Sequence, residues 1–436
     1  MKNILVIANL YHASPRIPAL TENLAKLGWK VTIISIPLES NANKKLGFSD
    51  YFQKNIKVIE VEYSGDVLNY LRVILRKIGF SANGSYTEQI KEKMGVTKQK
   101  SFVDRLLWLY QEIFAYPDAE RTWKKPVLKF VSHLVKKENF DVILSSSPYP
   151  TSHIIAHHIK KNSGINWVAD YRDTWTQNPV YSFSKFRLFF EQLHEKKVLK
   201  NANNIITVSN EYAEVLKLIH KKDVTVIPNG YQGELITQTI LDKKFSIIYT
   251  GVVYLGKQDP IKFFKAISNL LKQDKIAKED ITINFYGRKE NWFEVLINDF
   301  GVDDIVFQNG LVSREDARKK QETSQILLFF NWEDKLNKGI SSLKLYEYLR
   351  TGRPILATGG YNLTEDERVL KETNAGICAV TVKDIENHVL KSYQEFKSTG
   401  QVKYHADNKM LKKHSYMERA KLLNNILSKN YAKKET

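Results

Sequence analysis

Residues 2–36, KNILVIANLYHASPRIPALTENLAKLGWKVTIISI, decide the fold. Residues 2–8 form a short apolar run that passes into a polar loop at 9–16. Residues 17–27 then carry apolar side chains at helical spacing, Gly28 ends that helix, and 31–36 reads as a second strand. Strand, loop, helix and strand in this order begin a parallel sheet covered by helices, whose ligands lie beyond the carboxyl ends of the strands. The loop at 9–16, ending in Arg16, is therefore a candidate cleft wall.

Residues 66–139 interrupt this rhythm with basic and aromatic helical stretches, among them 68–80 and 103–114. Strands are predicted again at 141–145, 167–170, 205–208 and 224–227, and the first half closes near Pro228. A fresh strand at 246–249 starts a second half, with a helix at 260–271 and strands at 282–286, 305–307, 326–329 and 355–358. The expected division is an α/β domain at 1–230 with a helical insertion at 66–139, and a second α/β domain at 240–400. Residues 401–436 are then a C-terminal helix and tail able to cross back to the first domain.

A chain of 436 residues exceeds one ordinary core, and 43% hydrophobic with 26% charged residues is a globular balance. No apolar run approaches the roughly 20 residues that span a bilayer, and the first ten residues are too short for a secretory signal, which predicts a cytoplasmic protein. The single cysteine, Cys378, excludes an internal disulfide framework. A net charge of +18 calls for an anionic partner: nucleic acid, a phosphorylated small molecule or an acidic membrane surface. No nucleic-acid-binding motif accompanies the charge, so nucleic acid is not expected.

Residues 339–360, GISSLKLYEYLRTGRPILATGG, hold the strongest local signal. Ser341 or Ser342 can cap a helix that Gly352 ends. Gly339 ahead of that cap, with Leu343 and Lys344 in the first turn, leaves N–H groups suited to a phosphate, unless this is an ordinary capped core helix. Glu347 can bind the vicinal hydroxyls of a ribose or can pair with Lys344. In the first half, Asp170, Arg172 and Asp173 follow a strand and should emerge at the cleft edge. There Asp170 or Asp173 can orient an acceptor hydroxyl or pair with Arg172. Ser147 and His153 follow another strand end and can line the same acceptor pocket. His153 and His157 share a helical face, but no third ligand of convincing spacing accompanies them, so no metal is expected.

Together with Thr207-Val208-Ser209, Ile227-Pro228-Asn229-Gly230 and Tyr249-Thr250-Gly251, these segments resemble the retaining glycosyltransferases of family 4 (glycosyl transferases group 1) over nearly the whole chain. The resemblance implies a GT-B fold: two Rossmann-like domains facing across a cleft, the nucleotide sugar held by the second and the acceptor by the first, with no cofactor. Glu347 matches the ribose-binding member of the family's glutamate pair, while the other member's position holds Gly339. Lys257 matches a lysine that neutralises the diphosphate; the companion arginine's position holds Val252, and Arg288, after Gly287, is the candidate substitute. Lys257, Arg288 and Asp173 are the candidate catalytic groups.

The reaction implied is transfer from a nucleotide-diphosphate sugar, a UDP-sugar being favoured, to an acceptor hydroxyl in bacterial surface polysaccharide or glycolipid synthesis. The basic amphipathic stretch 68–80 suggests a lipid-linked glycan acceptor and peripheral association with an anionic membrane, or else packs on the first sheet. Two alternatives remain: a nucleotide-sugar epimerase of the same architecture, and a non-catalytic basic binding protein on a degenerate scaffold.

Overall fold

The computed structural model describes residues 2–65, 102–178, 181, 183–333, 339–361 and 364–432. The chain divides into two compact units, one of Met1–Pro228 with Tyr416–Thr436 and one of Asn229–Ser415. The stretch 68–80 and most of the expected insertion lie outside the described residues. What is described of it, helices Phe102–Phe114 and Lys124–Lys137, belongs to the first unit.

The first unit is built on β1 (Lys2–Ile7), β2 (Trp29–Ser35), β3 (Lys57–Glu60), β4 (Val142–Ser146), β5 (Asn166–Tyr171), β6 (Asn204–Thr207) and β7 (Val224–Val226). They form a seven-stranded parallel sheet in the order β3-β2-β1-β4-β5-β6-β7. The second unit holds β8 (Phe245–Thr250), β9 (Ile281–Tyr286), β10 (Val306–Gly310), β11 (Ile326–Phe330), β12 (Ile355–Thr358) and β13 (Gly376–Ala379), again parallel, in the order β10-β9-β8-β11-β12-β13. Counted from its own first strand, the first sheet runs 3-2-1-4-5-6-7 and the second 3-2-1-4-5-6, the doubly wound Rossmann order in both. Central strands such as β4 and β8 are buried along their whole length because helices cover both faces, which explains their continuous apolar runs.

Two features differ from the reading of residues 9–16 and 401–436. Residues 9–16 are not all loop: Asn9 caps a short helix, Leu10–Ala13, by accepting from the Tyr11 N–H, and Arg16 already begins helix Arg16–Lys26. Residues 401–415 stay with the second unit, where Val402 N–H donates to Gln325 Oε1 at 2.9 Å. Only helix Tyr416–Ala432 joins the first unit, burying Tyr416, Ala420, Leu423 and Leu427 in one core with Ile17, Leu20 and Leu24. Its polar edge is tied by Trp29 Nε1 to Asn424 Oδ1 at 2.8 Å.

Candidate active site

In a doubly wound sheet the strand order reverses between the first and fourth strands, and the loops leaving their carboxyl ends splay apart to form a crevice. In the second unit that point lies between β8 and β11. The loop after β8 runs through Gly251, at φ +112°, to Lys257. It is fastened to the end of β11, because Gln258 Nε2 donates to Phe330 O at 2.9 Å and Glu333 N–H donates to Lys257 O at 2.8 Å. The Lys257 ammonium lies 5.5 Å from the Trp332 ring, and Trp332 stacks on Tyr254. Gly287, in the loop after β9, has no room for a side chain, since a Cβ would fall on the Gly251 carbonyl. Arg288 beside it is directed to Glu290 at 3.2 Å and is more than half exposed.

Helix Leu343–Leu349 brings two further groups to this crevice. Lys344 Nζ lies 3.7 Å from the centre of the Tyr249 ring and donates to the Tyr249 hydroxyl at 2.5 Å, which in turn donates to Val252 O at 2.9 Å. Its Nζ also lies 3.1 Å from where a Cβ on Gly251 would stand, so the cation sits against the turn that leaves β8. Burial pulls Lys344 down to about 7, with the nearby Glu347 charge opposing the shift. One turn on, Glu347 Oε1 pairs with Arg314 Nη2 at 2.8 Å rather than with Lys344, and both side chains remain about one third exposed. The pair fixes one carboxylate oxygen and leaves the group accessible from outside.

The helix is short, seven residues, and Ser342 at its N-cap makes no side-chain capping bond. The Ser342 N–H bonds instead to Asp366, at the start of helix Glu365–Thr373. Burial, with Glu365 beside it, pushes Asp366 up to about 7, and its Oδ1 has no hydrogen-bond partner among the described residues. The helix-start amides are thus partly engaged already, and the charged side chains carry more of the site than the sequence suggested. Ser341 O accepts from Asn229 Nδ2 at 3.1 Å, while Gly339 is buried and Leu343 half-buried at the helix entry.

In the first unit the corresponding point lies between β1 and β4. Arg16 and Asp170, both fully buried, form a two-pronged ion pair, Nε to Oδ2 at 3.1 Å and Nη2 to Oδ1 at 2.9 Å. Ser146 Oγ adds a third bond to Asp170 at 2.8 Å, and Arg16 Nη1 reaches Pro228 O at 3.1 Å. The hydrogen bonds around it offset part of its desolvation, and the pair ties helix Arg16–Lys26 to the end of β5. Arg172 therefore has other partners: it donates to His12 O and lies 3.9 Å from Asp173. Ser147 Oγ accepts from Asp173 N–H at 3.1 Å, which sets the turn after β5. The His12 ring packs edge-on to Tyr149 at 4.8 Å, and partial desolvation by its neighbours, with the Arg172 charge, lowers its pKa. His12, Tyr149, Arg172 and Asp173 thus gather at the carboxyl ends of β1, β4 and β5.

His153 is set apart from them. It is buried, stacks on Tyr171 at 4.7 Å, and shares a hydrogen bond at Nδ1 with Ser145 Oγ at 2.8 Å, a hydroxyl that also accepts from Trp167 Nε1. Burial lowers it to about 4, so at neutral pH it is an uncharged core ring. His157 bonds to Val198 O and His158 to Ile154 O, and no group of three or more metal-ligating side chains occurs among the described residues. A cavity of about 850 Å³, lined in part by Tyr63, Tyr116, Arg121, Lys124, Lys125 and His194, also lies in this unit. The sequence reading missed His12, Tyr149, Arg314 and Asp366. Only His12 left a trace, through its place in the loop already marked as a cleft wall.

Residues 107–234 match the family described as Glycosyltransferase Family 4. The fold is similar to sucrose-phosphate synthase from Thermosynechococcus elongatus, at 13% identity and a TM-score of 0.59 over 99% of this chain and 100% of that one. It is also similar to Anabaena HepE solved with UDP and glucose, at 11% identity and a TM-score of 0.58 over 98% and 100%. A third likeness is to a putative UDP-N-acetylglucosamine 2-epimerase from Listeria monocytogenes, at 12% identity and a TM-score of 0.53 over 100% and 98%. No curated protein sequence matches the chain. The family resemblance read from the motifs holds in the matched segment, and the GT-B fold holds over the whole length.

Proposed function

We infer that this chain, of GT-B fold and matching family 4 over residues 107–234, is a glycosyltransferase that moves a sugar from a nucleotide-diphosphate sugar to an acceptor hydroxyl with retention of anomeric configuration. The observation that carries the reading is the placement of Lys344 and Glu347 on one helical turn, the first against the loop leaving β8 and the second held by Arg314. A cation and a carboxylate spaced this way suit the two ends of a nucleoside diphosphate: phosphate on one side, ribose hydroxyls on the other. UDP is the favoured nucleotide, and the HepE structure was solved with UDP.

In this reading the leaving diphosphate gains negative charge as the sugar–oxygen bond breaks. Lys344 and Lys257 meet that charge as it develops, which lowers the barrier more than it tightens ground-state binding. The leaving phosphate itself takes the acceptor proton, and Arg172 and Asp173, with His12, orient the acceptor in the first unit. Arg288, turned to Glu290, is available to the donor only after leaving that partner. The acceptor is a lipid-linked glycan of bacterial surface polysaccharide or glycolipid synthesis, reached from an anionic membrane surface.

The test is incubation of the protein with UDP-sugars, with and without a lipid-linked glycan. Acceptor-dependent release of UDP, lowered roughly a hundredfold in Lys257→Ala, is expected for a group that stabilises transition-state charge. Conversion of the donor sugar without acceptor would replace transfer by epimerisation.

A further inference from the structure

Helix Lys185–Leu199 is oriented against its own composition. Phe186, Phe189, Phe190 and Leu193, at the i, i+3, i+4, i+7 spacing of a buried stripe, are 74%, 57%, 46% and 51% exposed. The buried stripe is instead Arg187, Glu191 and Glu195 with Val198 and Leu199. Those charges fix the rotation of the helix. Arg187 bonds Glu191 at 2.5 Å and the carbonyls of Gln111, Glu112 and Ala115 at 2.7, 3.0 and 2.7 Å. Glu191 accepts from Trp175 Nε1 at 3.0 Å, and Glu195 binds Thr176 and Gln177.

The carbonyls that Arg187 gathers belong to the end of helix Phe102–Phe114 and the residue after it, and that helix exposes Leu109, Ile113 and Phe114. Seven large apolar side chains on two joined helices exceed the scattered exposure of a soluble surface. Both carboxylates of helix Lys185–Leu199 point inward, whereas Lys185, Lys196 and Lys197 are exposed, with Lys200 just beyond.

We propose that the outward faces of these two helices form a surface that docks on a bilayer of anionic lipids. Aromatic side chains flanked by lysines, with Glu191 and Glu195 turned inward and Glu112 of the other helix held by Ser184, match the acyl boundary and the negative headgroups together. A second copy is disfavoured as occupant, because self-pairing would bring these lysines together in a chain of net charge +18. The proposal rests on the first unit alone and adds to the proposed function a place where that unit meets the membrane.

The test is flotation of the full chain with vesicles of phosphatidylcholine containing phosphatidylglycerol, and with phosphatidylcholine alone. Wild type floats with the anionic vesicles only. The variants Phe189→Ser with Leu193→Ser, and Lys196→Glu with Lys197→Glu, each bind roughly tenfold or more weakly. The two pairs lose unlike groups, so a folding defect in one leaves the other decisive, and circular dichroism checks both. Failure of wild type to float, or undiminished flotation of both variants, overturns the proposal. So does a wild-type dimer that either variant dissociates. Calorimetric UDP titration of the same variants is expected to be unchanged, which separates failure here from failure of the donor reading.

Discussion

Lys344 is the residue whose chemistry is most changed by its place. With its pKa pulled to about 7, it is a cation below that value and increasingly neutral above it. A bound diphosphate favours the charged form, so UDP binding above pH 7 should take up a proton, and affinity should fall as pH rises through about 7. The measurement is UDP calorimetry across pH in buffers of unlike ionisation heat. Lys344→Met should bind roughly tenfold more weakly at pH 6 and show no uptake, as expected for the loss of one charge-assisted contact of about 1.5–3 kcal/mol. A wild-type affinity independent of pH would remove Lys344 from the phosphate site.

At the scale of elements, legibility followed burial and distance along the chain. Strands β1, β4 and β8 could be read directly, since burial on both faces leaves unbroken apolar runs such as Ile4–Ile7. Glu347 and Lys344 were legible as candidates, because a helix turn separates them in sequence. Their partners were not: Arg314 lies 33 residues from Glu347, and Asp170 lies 154 from Arg16. No periodicity reports such pairings, which depend on which strand ends the topology brings together. The short helix Leu10–Ala13 escaped notice because one turn has no repeat to detect.

Helix Tyr416–Ala432 makes an element-scale prediction. Its buried Leu423 and Leu427 each contribute about 1.5–3 kcal/mol by the usual burial scale, with Tyr416 adding a similar amount. That sum is a large share of the ordinary stability of a domain, about 5–15 kcal/mol. A chain ending at Ser415 should therefore leave residues 2–228 rapidly cleaved in limited proteolysis, while residues 229–415 persist as a resistant fragment. Equal resistance of both parts would show that the helix is dispensable to the first unit.

For the whole molecule, the order 3-2-1-4-5-6 occurs in both sheets, with a seventh strand added to the first, and each unit gathers charged side chains at its own strand-order reversal. The two gatherings differ in chemistry. The second unit offers Lys257, Lys344, Arg314 and Glu347, suited to a nucleoside diphosphate, whereas the first offers His12, Tyr149, Arg172 and Asp173. The donor nucleotide is proposed to bind in the second unit through Glu347 and its neighbours. Calorimetric titration with UDP, GDP, ADP and dTDP tests it most directly, in wild type, Glu347→Ala and Lys257→Ala. UDP is expected to bind, and each substitution to weaken that binding roughly tenfold or more. Absence of binding to any nucleotide, or wild-type affinity in Glu347→Ala, would contradict it.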